Sequence, residues 1–255
     1  MHHFLKRDSL SSVSERLQKP IFIGTSGWAY PSWKPEFYPD KLAQKKFLSF
    51  YATRLNTVEV NFTFRQLVKE TTIQNWLQAT PADFRFGIKA HQVITHIKRL
   101  KGTEDFVPRF LATIEPLAAA GKLGPVLFQL PPNLKADPAL LKDFLAVLPR
   151  TVPAAFEFRH ASWFADSTWD LLKARDAAVC VAETETMTTP DVTTAAFAYY
   201  RFRKPTYTGD ERKSMVERLG QHIAEGRNVF AYFKHEETPA GALYAVEVLS
   251  AVQKT

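Results

Sequence analysis

Short apolar runs and amphipathic stretches alternate along this chain. Strand-like runs fall at Ile21 to Gly24, Thr57 to Asn61, Arg85 to Ala90, Pro125 to Leu130, Ala155 to Arg159, Ala178 to Ala182, Ala196 to Phe202 and Asn228 to Phe233. Between them apolar residues recur at helical spacing. Phe47, Leu48, Tyr51 and Leu55 mark a helix over Ala43 to Leu55, and another covers Glu70 to Gln78. Phe106, Phe110, Ile114 and Leu117 mark a long helix that stops near Gly121, a C′ glycine. Leu141, Phe144, Leu145 and Leu148 align within Pro138 to Leu148. Asp166 or Ser167 can cap a helix to Ala174, Glu211 to Glu225 forms another, and Pro239 opens the last, which runs to Val252. The threonine-rich stretch Glu183 to Thr194 predicts a loop, so the sixth helix is short or missing.

Alternation of this kind predicts parallel strands with crossover helices. Eight such units over about 235 residues are the count and length of a single TIM-type (β/α)8 barrel, here residues 21–255. An open doubly wound sheet is the alternative. It would run a glycine-rich turn straight into a helix, whereas Gly24-Thr25-Ser26-Gly27 runs into the loop-like Trp28-Ala29-Tyr30-Pro31.

Composition narrows the class. Of 255 residues, 45% are hydrophobic, enough for a sizeable core and against disorder over most of the length. A single cysteine excludes an internal disulfide framework and any Cys-paired zinc site. Residues 1–20 are polar, lack the apolar core of a secretory signal and predict a flexible N-terminal arm. No apolar run is long enough for a membrane span, so no membrane association and a cytoplasmic location are expected. Lys and Arg total 33 against 26 Asp and Glu, a net charge of +7 that favours anionic partners, whether a phosphorylated metabolite or nucleic acid.

In a barrel of this kind the site lies at the C-terminal ends of the strands. Polar residues stand there repeatedly: Glu59 and Asn61, Lys89 and His91, Gln129, Glu157 and Arg159, Arg201 and Arg203, then Lys234, His235 and Glu236. Residues two apart on a strand share a face. The apolar residues between them, among them Val60, Ile88, Phe158 and Phe202, then pack against outer helices while the polar set points inward. Buried charge is costly unless paired, so its recurrence on several strands points to a functional pocket; a structural polar network is the alternative.

These residues also carry a family resemblance. Gly24-Thr25-Ser26-Gly27-Trp28, Val58-Glu59-Val60-Asn61 with Thr63-Phe64, Lys89-Ala90 with Thr95-His96, Gly124 through Pro132, and Phe156-Glu157-Phe158-Arg159-His160 with Trp163 occur in the order seen in the YecE-like family, domain of unknown function family 72. The resemblance implies a TIM-type barrel and brings no activity. Three departures add basic or titratable groups: Arg65 in place of Tyr, Arg203-Lys204 in place of His-Gly, and Lys234-His235 in place of an asparagine pair.

The chemistry of the mouth stays open in three directions. For anion binding, Lys89, Arg159, Arg201, Arg203 and Lys234 supply cations, with Asn61, His96, Gln129 and His235 as further polar contacts. The turn ending at Gly27 can add backbone N–H groups, and Trp28 and Trp163 can wall the pocket. The alternative is that Glu59 and Glu157 simply neutralise the cations. For general acid–base catalysis, Glu157 beside Arg159 stays ionised, Lys89 ringed by arginines can lose its proton, and His160 is a further proton carrier. For a metal, no ligand spacing supports a site, and neither metal nor cofactor is expected. Cys180, in a buried strand, reads as core. A small anionic ligand, a nucleic-acid partner and a non-catalytic sensor all remain compatible with these residues. Neither enzymatic turnover nor oligomeric state is legible.

Overall fold

A computed structural model describes residues 21–183, 187–234 and 238–254. The predicted arm of residues 1–20, and the candidate His235, lie outside these.

Eight parallel strands close in sequence order into a barrel. They are β1 (Ile21–Thr25), β2 (Thr57–Val60), β3 (Arg85–Lys89), β4 (Leu123–Gln129), β5 (Ala154–Glu157), β6 (Ala178–Glu183), β7 (Phe197–Phe202) and β8 (Asn228–Phe233). The α-helices are α1 (Phe47–Tyr51), α2 (Glu70–Ala79), α3 (Phe106–Ala119), α4 (Pro138–Val147), α5 (Asp166–Arg175), α6 (Gly209–Ala224) and α7 (Ala240–Val252). Closure, with β1 paired to both β2 and β8, overturns the open-sheet alternative.

Most predicted boundaries hold within a residue or two, and the exceptions have local causes. The first helix shrinks to one turn of α1, preceded by a 3-10 turn at Gln44–Lys46. Helix α5 begins at Asp166 after Ala165, so neither Asp166 nor Ser167 is its cap. Helix α6 starts two residues earlier than expected because Thr208 and Glu211 form a reciprocal capping box. Gly121 takes φ +66° after α3, as a C′ glycine should.

Between Glu183 and Phe197 there is no helix among the described residues. Side-chain bonds hold the chain there. Thr194 Oγ1 donates to Ala177 O and accepts from Val179 N, each at 2.8 Å. Tyr200 Oη donates to both Asp191 carboxylate oxygens at 2.9 Å.

The period-two alternation sorts the strand residues into two layers. Outward residues such as Phe86, Phe128, Phe156 and Phe158 join the helices in one aromatic-rich core, with Trp76 stacked 5.5 Å from Phe86 and Phe128 5.2 Å from Phe156. Inward residues form a second cluster of Phe22, Leu127, Ala155, Cys180, Phe197, Tyr199, Phe230 and Tyr232. Gly87 faces this interior: a Cβ there would stand 2.6 Å from Tyr232 Oη, which needs the space to reach Thr57 Oγ1 at 3.0 Å. The strand-end polar residues lie above this plug.

Candidate functional site

Residues Glu59, Lys89, Gln129, Glu157 and Arg201 each stand at or near the C-terminal end of their strand, on the parity that faces inward. They form one connected network. Arg201 lies between two carboxylates, donating through Nη2 to Glu59 Oε1 at 2.8 Å and through Nη1 to Glu157 Oε2. Glu59 Oε1 also accepts from Arg203 Nη2 at 3.2 Å and from Asn61 Nδ2 at 3.3 Å, while Tyr199 Oη donates to Oε2 at 2.7 Å. Gln129 Nε2 donates to Glu157 Oε1 at 2.7 Å, and its Oε1 accepts from Lys89 Nζ at 2.8 Å.

Burial sets the energetics. Glu59 is 0% exposed, Glu157 4% and Arg201 4%, so the pairing must offset a large desolvation cost. Every carboxylate oxygen is met by at least one donor, which makes these two glutamates poor free bases and good anchors. The partner that holds Glu157 is Arg201. Arg159 lies two residues past the end of β5, is exposed, and makes no ion pair among the described residues.

Lys89 is different. It is half-buried, has one side-chain acceptor, and its ammonium stands 4.4 Å above the Phe64 ring. Burial first, then Arg201 and Arg159, draws its pKa from 10.5 to about 8, against the opposing pull of Glu157 and Glu59. His96 meets the same Phe64 ring edge-on at 4.8 Å and shares a 2.9 Å hydrogen bond with Thr95 Oγ1. Burial, then Lys89, Arg159 and Arg99, lowers the pKa of the His96 imidazole.

Other candidates are placed elsewhere. His160 caps the 3-10 turn Ala161–Trp163, its Nδ1 accepting from Ser162 N at 3.2 Å, rather than joining Glu157 and Lys89. Trp163 is fully buried, stacks 4.9 Å from Phe158 and donates from Nε1 to Leu134 O at 2.8 Å, so it packs the loop. His91 lies beyond the end of β3 and packs against Phe106 at 5.2 Å. Lys234 is exposed at the end of β8.

The anion nest expected at Gly27 has already used its donors: Ser26 N bonds Phe233 O at 3.2 Å and Gly27 N bonds Thr25 O at 3.0 Å. Gly27, at φ +110°, and Trp28 instead line a cleft beside the mouth. The connection after β1 is rich in aromatic residues, and they divide: Trp33, Phe37 and Tyr38 are buried, with Tyr38 stacked 4.1 Å from Phe47, whereas Trp28 and Tyr30 border the cleft. Among the described residues no cluster of His, Cys, Asp and Glu could hold a metal ion, and no helix is long and apolar enough to cross a membrane. Cys180 is fully buried, as expected of a core thiol.

Tyr199 and Phe64 belong to the site although neither is one of the charged or amide residues at the strand ends. Tyr199 stands two residues before Arg201 on the same strand face, a signal that strand parity supplied. The position of Phe64 over Lys89 depends on the turn after β2, which no local pattern reports.

The fold and this rim define a (β/α)8 barrel with a buried, charge-paired C-terminal mouth. Residues 22–255 match the family described as "Protein of unknown function DUF72", and the chain belongs to that family. It is 29% identical over 164 residues to the UPF0759 protein YunF of Bacillus subtilis (strain 168), covering 60% of this chain and 57% of that protein. It is 34% identical over 147 residues to the UPF0759 protein YecE of Escherichia coli (strain K12), covering 57% of this chain and 50% of that protein. The matched stretches thus span about half the length of these curated relatives. A crystal structure of a DUF72 family protein from Thermotoga maritima superposes with a TM-score of 0.81 at 25% identity, covering 92% of this chain and 99% of that one.

Proposed function

We propose that the protein binds a small phosphorylated anion at the C-terminal mouth of its barrel, in a cytoplasmic setting, and turns it over by general acid–base chemistry. One observation carries this reading: the two buried glutamates are satisfied by Arg201 and its neighbours, while Lys89 and Arg159 remain at the rim without a carboxylate partner among the described residues. Cations beyond those that the carboxylates neutralise make an anion-attracting mouth. In this reading Arg203, Arg159 and Lys234 meet the anion. Glu59, Glu157 and Gln129 hold Arg201 and Lys89 in place. Lys89 exchanges the proton, since an amine with a pKa of about 8 populates both forms near neutrality. Glu157 acts as a positioning residue and His160 as a loop anchor.

The test is melting temperature against a panel of sugar phosphates, nucleotides, inorganic phosphate and short oligonucleotides. Ligand binding to the folded state raises apparent stability by mass action. A shift with a small phosphorylated compound, followed by turnover that Lys89→Met abolishes while the shift remains, supports the enzyme. A shift with turnover absent in the wild type favours a sensor. A panel with no shift from any phosphorylated compound overturns the anion reading.

A further inference from the structure

The cleft beside the mouth is not explained by the charge network. It has a volume of about 290 Å³ and lies between the loop after β1 and the start of α2. That is near the lower end of the ~300–1,000 Å³ typical of small-molecule sites. Its walls are aromatic: Trp28 and Trp76 stand 5.7 Å apart at 87°, and Phe62 and Trp76 5.6 Å apart at 77°.

Two residues of the lining each hold a buried polar atom with no hydrogen-bond partner among the described residues. One is Ser26 Oγ, in a side chain only 2% exposed; the other is Asn61 Oδ1. The Asn61 amide can be oriented from chemistry alone. Its Nδ2 faces Glu59 Oε1 at 3.3 Å and Ser26 O at 3.5 Å, both acceptors, so Oδ1 must turn away from them. A buried polar atom without a partner costs free energy that a bound group can recover. Asn61 Oδ1 requires a donor, and Ser26 Oγ can donate or accept. A planar heteroaromatic ring with a donor and an acceptor on one edge meets both demands, while its faces meet the aromatic walls.

Asn61 also joins the cleft to the mouth. Glu59 Oε1 accepts from Asn61, Arg203 and Arg201 together, so the Asn61 amide and the Arg203 guanidinium are within two hydrogen-bond lengths of each other. A charge carried a few bonds from a ring in the cleft reaches the Arg203 guanidinium.

We infer that the cleft is the base-binding half of the site and that the ligand is a nucleotide, with its ring between Trp28 and Phe62 and its phosphate toward Arg203. This rests on the anion-binding reading of the mouth. Titration calorimetry on the full chain with five probe types tests the two readings separately: the common nucleoside monophosphates, the matching nucleosides, ribose 5-phosphate, inorganic phosphate and short single-stranded oligonucleotides.

At least one nucleoside monophosphate should bind about tenfold or more tightly than ribose 5-phosphate. Trp28→Ala should remove that advantage and leave ribose 5-phosphate affinity unchanged, with Trp28→Phe retaining part of it. Should Trp28→Ala fail to fold, Ser26→Ala, which deletes only one hydroxyl, should weaken the nucleotide severalfold and spare ribose 5-phosphate. Equal affinity for ribose 5-phosphate and every nucleotide overturns the base site and leaves the anion reading standing. A nucleoside that binds as tightly as its nucleotide overturns the anion reading and, with it, the nucleotide. Binding of single-stranded oligonucleotides alone, steeply weakened by salt, replaces the mononucleotide with a polymer.

Discussion

Two lysines at opposite ends of the barrel show how differently those ends are built. Lys122 lies just before β4, at the N-terminal end of the strands. Its ammonium donates to Leu77 O at 2.9 Å, Thr80 O at 2.7 Å and Thr80 Oγ1 at 3.0 Å, so its three protons all have acceptors. Lys89 ends β3 at the other rim and has Gln129 Oε1 and the face of Phe64. Burial lowers the pKa of both. The lower lysine is saturated by its own fold, whereas the upper one keeps donors in reserve. The barrel interior divides the same way, with Phe22, Phe197 and Phe230 toward the bottom and Glu59, Glu157 and Arg201 above. An apolar plug needs only to be filled. A buried ionic layer must be paired atom by atom, and any unpaired group at its edge is available to a ligand.

Arg201→Met is the harshest way to break this comparison. It leaves Glu59 and Glu157 buried without their shared cation, and losing one partner of a buried pair costs ~3–5 kcal/mol. Denaturant unfolding should show a loss of that size. A loss below about 1 kcal/mol would mean that the two carboxylates do not depend on Arg201, and the upper layer would no longer count as a closed network.

Lys122→Met comes next. It strands two carbonyls and a hydroxyl at the lower end, at ~1–3 kcal/mol. Unfolding should show that loss, and the melting shift produced by a phosphorylated ligand should be unchanged. If the shift falls along with stability, the two ends are not functionally separate.

Strand parity made the inward-facing set legible from the sequence, because a period of two assigns Glu59, Glu157 and Arg201 to one face without any knowledge of the helices. The same rule held for Asn61 and Arg203, one residue past their strands, and misled for Arg159 and His91, two residues past theirs. Strand β5 ends at Glu157 and β3 at Lys89, so Arg159 and His91 leave the ladder and their orientation no longer follows the alternation. The pairing of Glu59 with Arg201 joins residues 142 apart in sequence and depends on barrel closure, which no local pattern reports. The connection after β1 shows a similar limit. Composition treats Trp28 and Trp33 alike, yet Trp33 is sealed in a stack with Tyr38 while Trp28 borders the cleft.

The sharpest way to test the comparison is the pH dependence of Lys89→Met. The Lys89 ammonium titrates at about 8 in the folded chain and at 10.5 when unperturbed. Between those values the unfolded chain holds a proton that the folded chain has released, so rising pH favours the folded state. Below pH 8 both states are protonated and the cost of burying the ammonium is constant. The stability of the wild type relative to Lys89→Met should therefore be flat through the acidic side of pH 7 and climb from about pH 8 toward 10.5. Buried tyrosines act in the opposite sense at high pH: Tyr199 and Tyr232 are raised by burial, so their phenols ionise first in the unfolded chain. That contribution is common to both proteins and cancels in the difference. Denaturant unfolding of the pair across this range reads the effect directly. A difference that stays flat throughout would show that Lys89 keeps an ordinary ammonium and is no better placed for proton transfer than a surface lysine. Repeating the series with a bound phosphorylated ligand sharpens the result, because an anion beside Lys89 raises its pKa and should move the climb to higher pH.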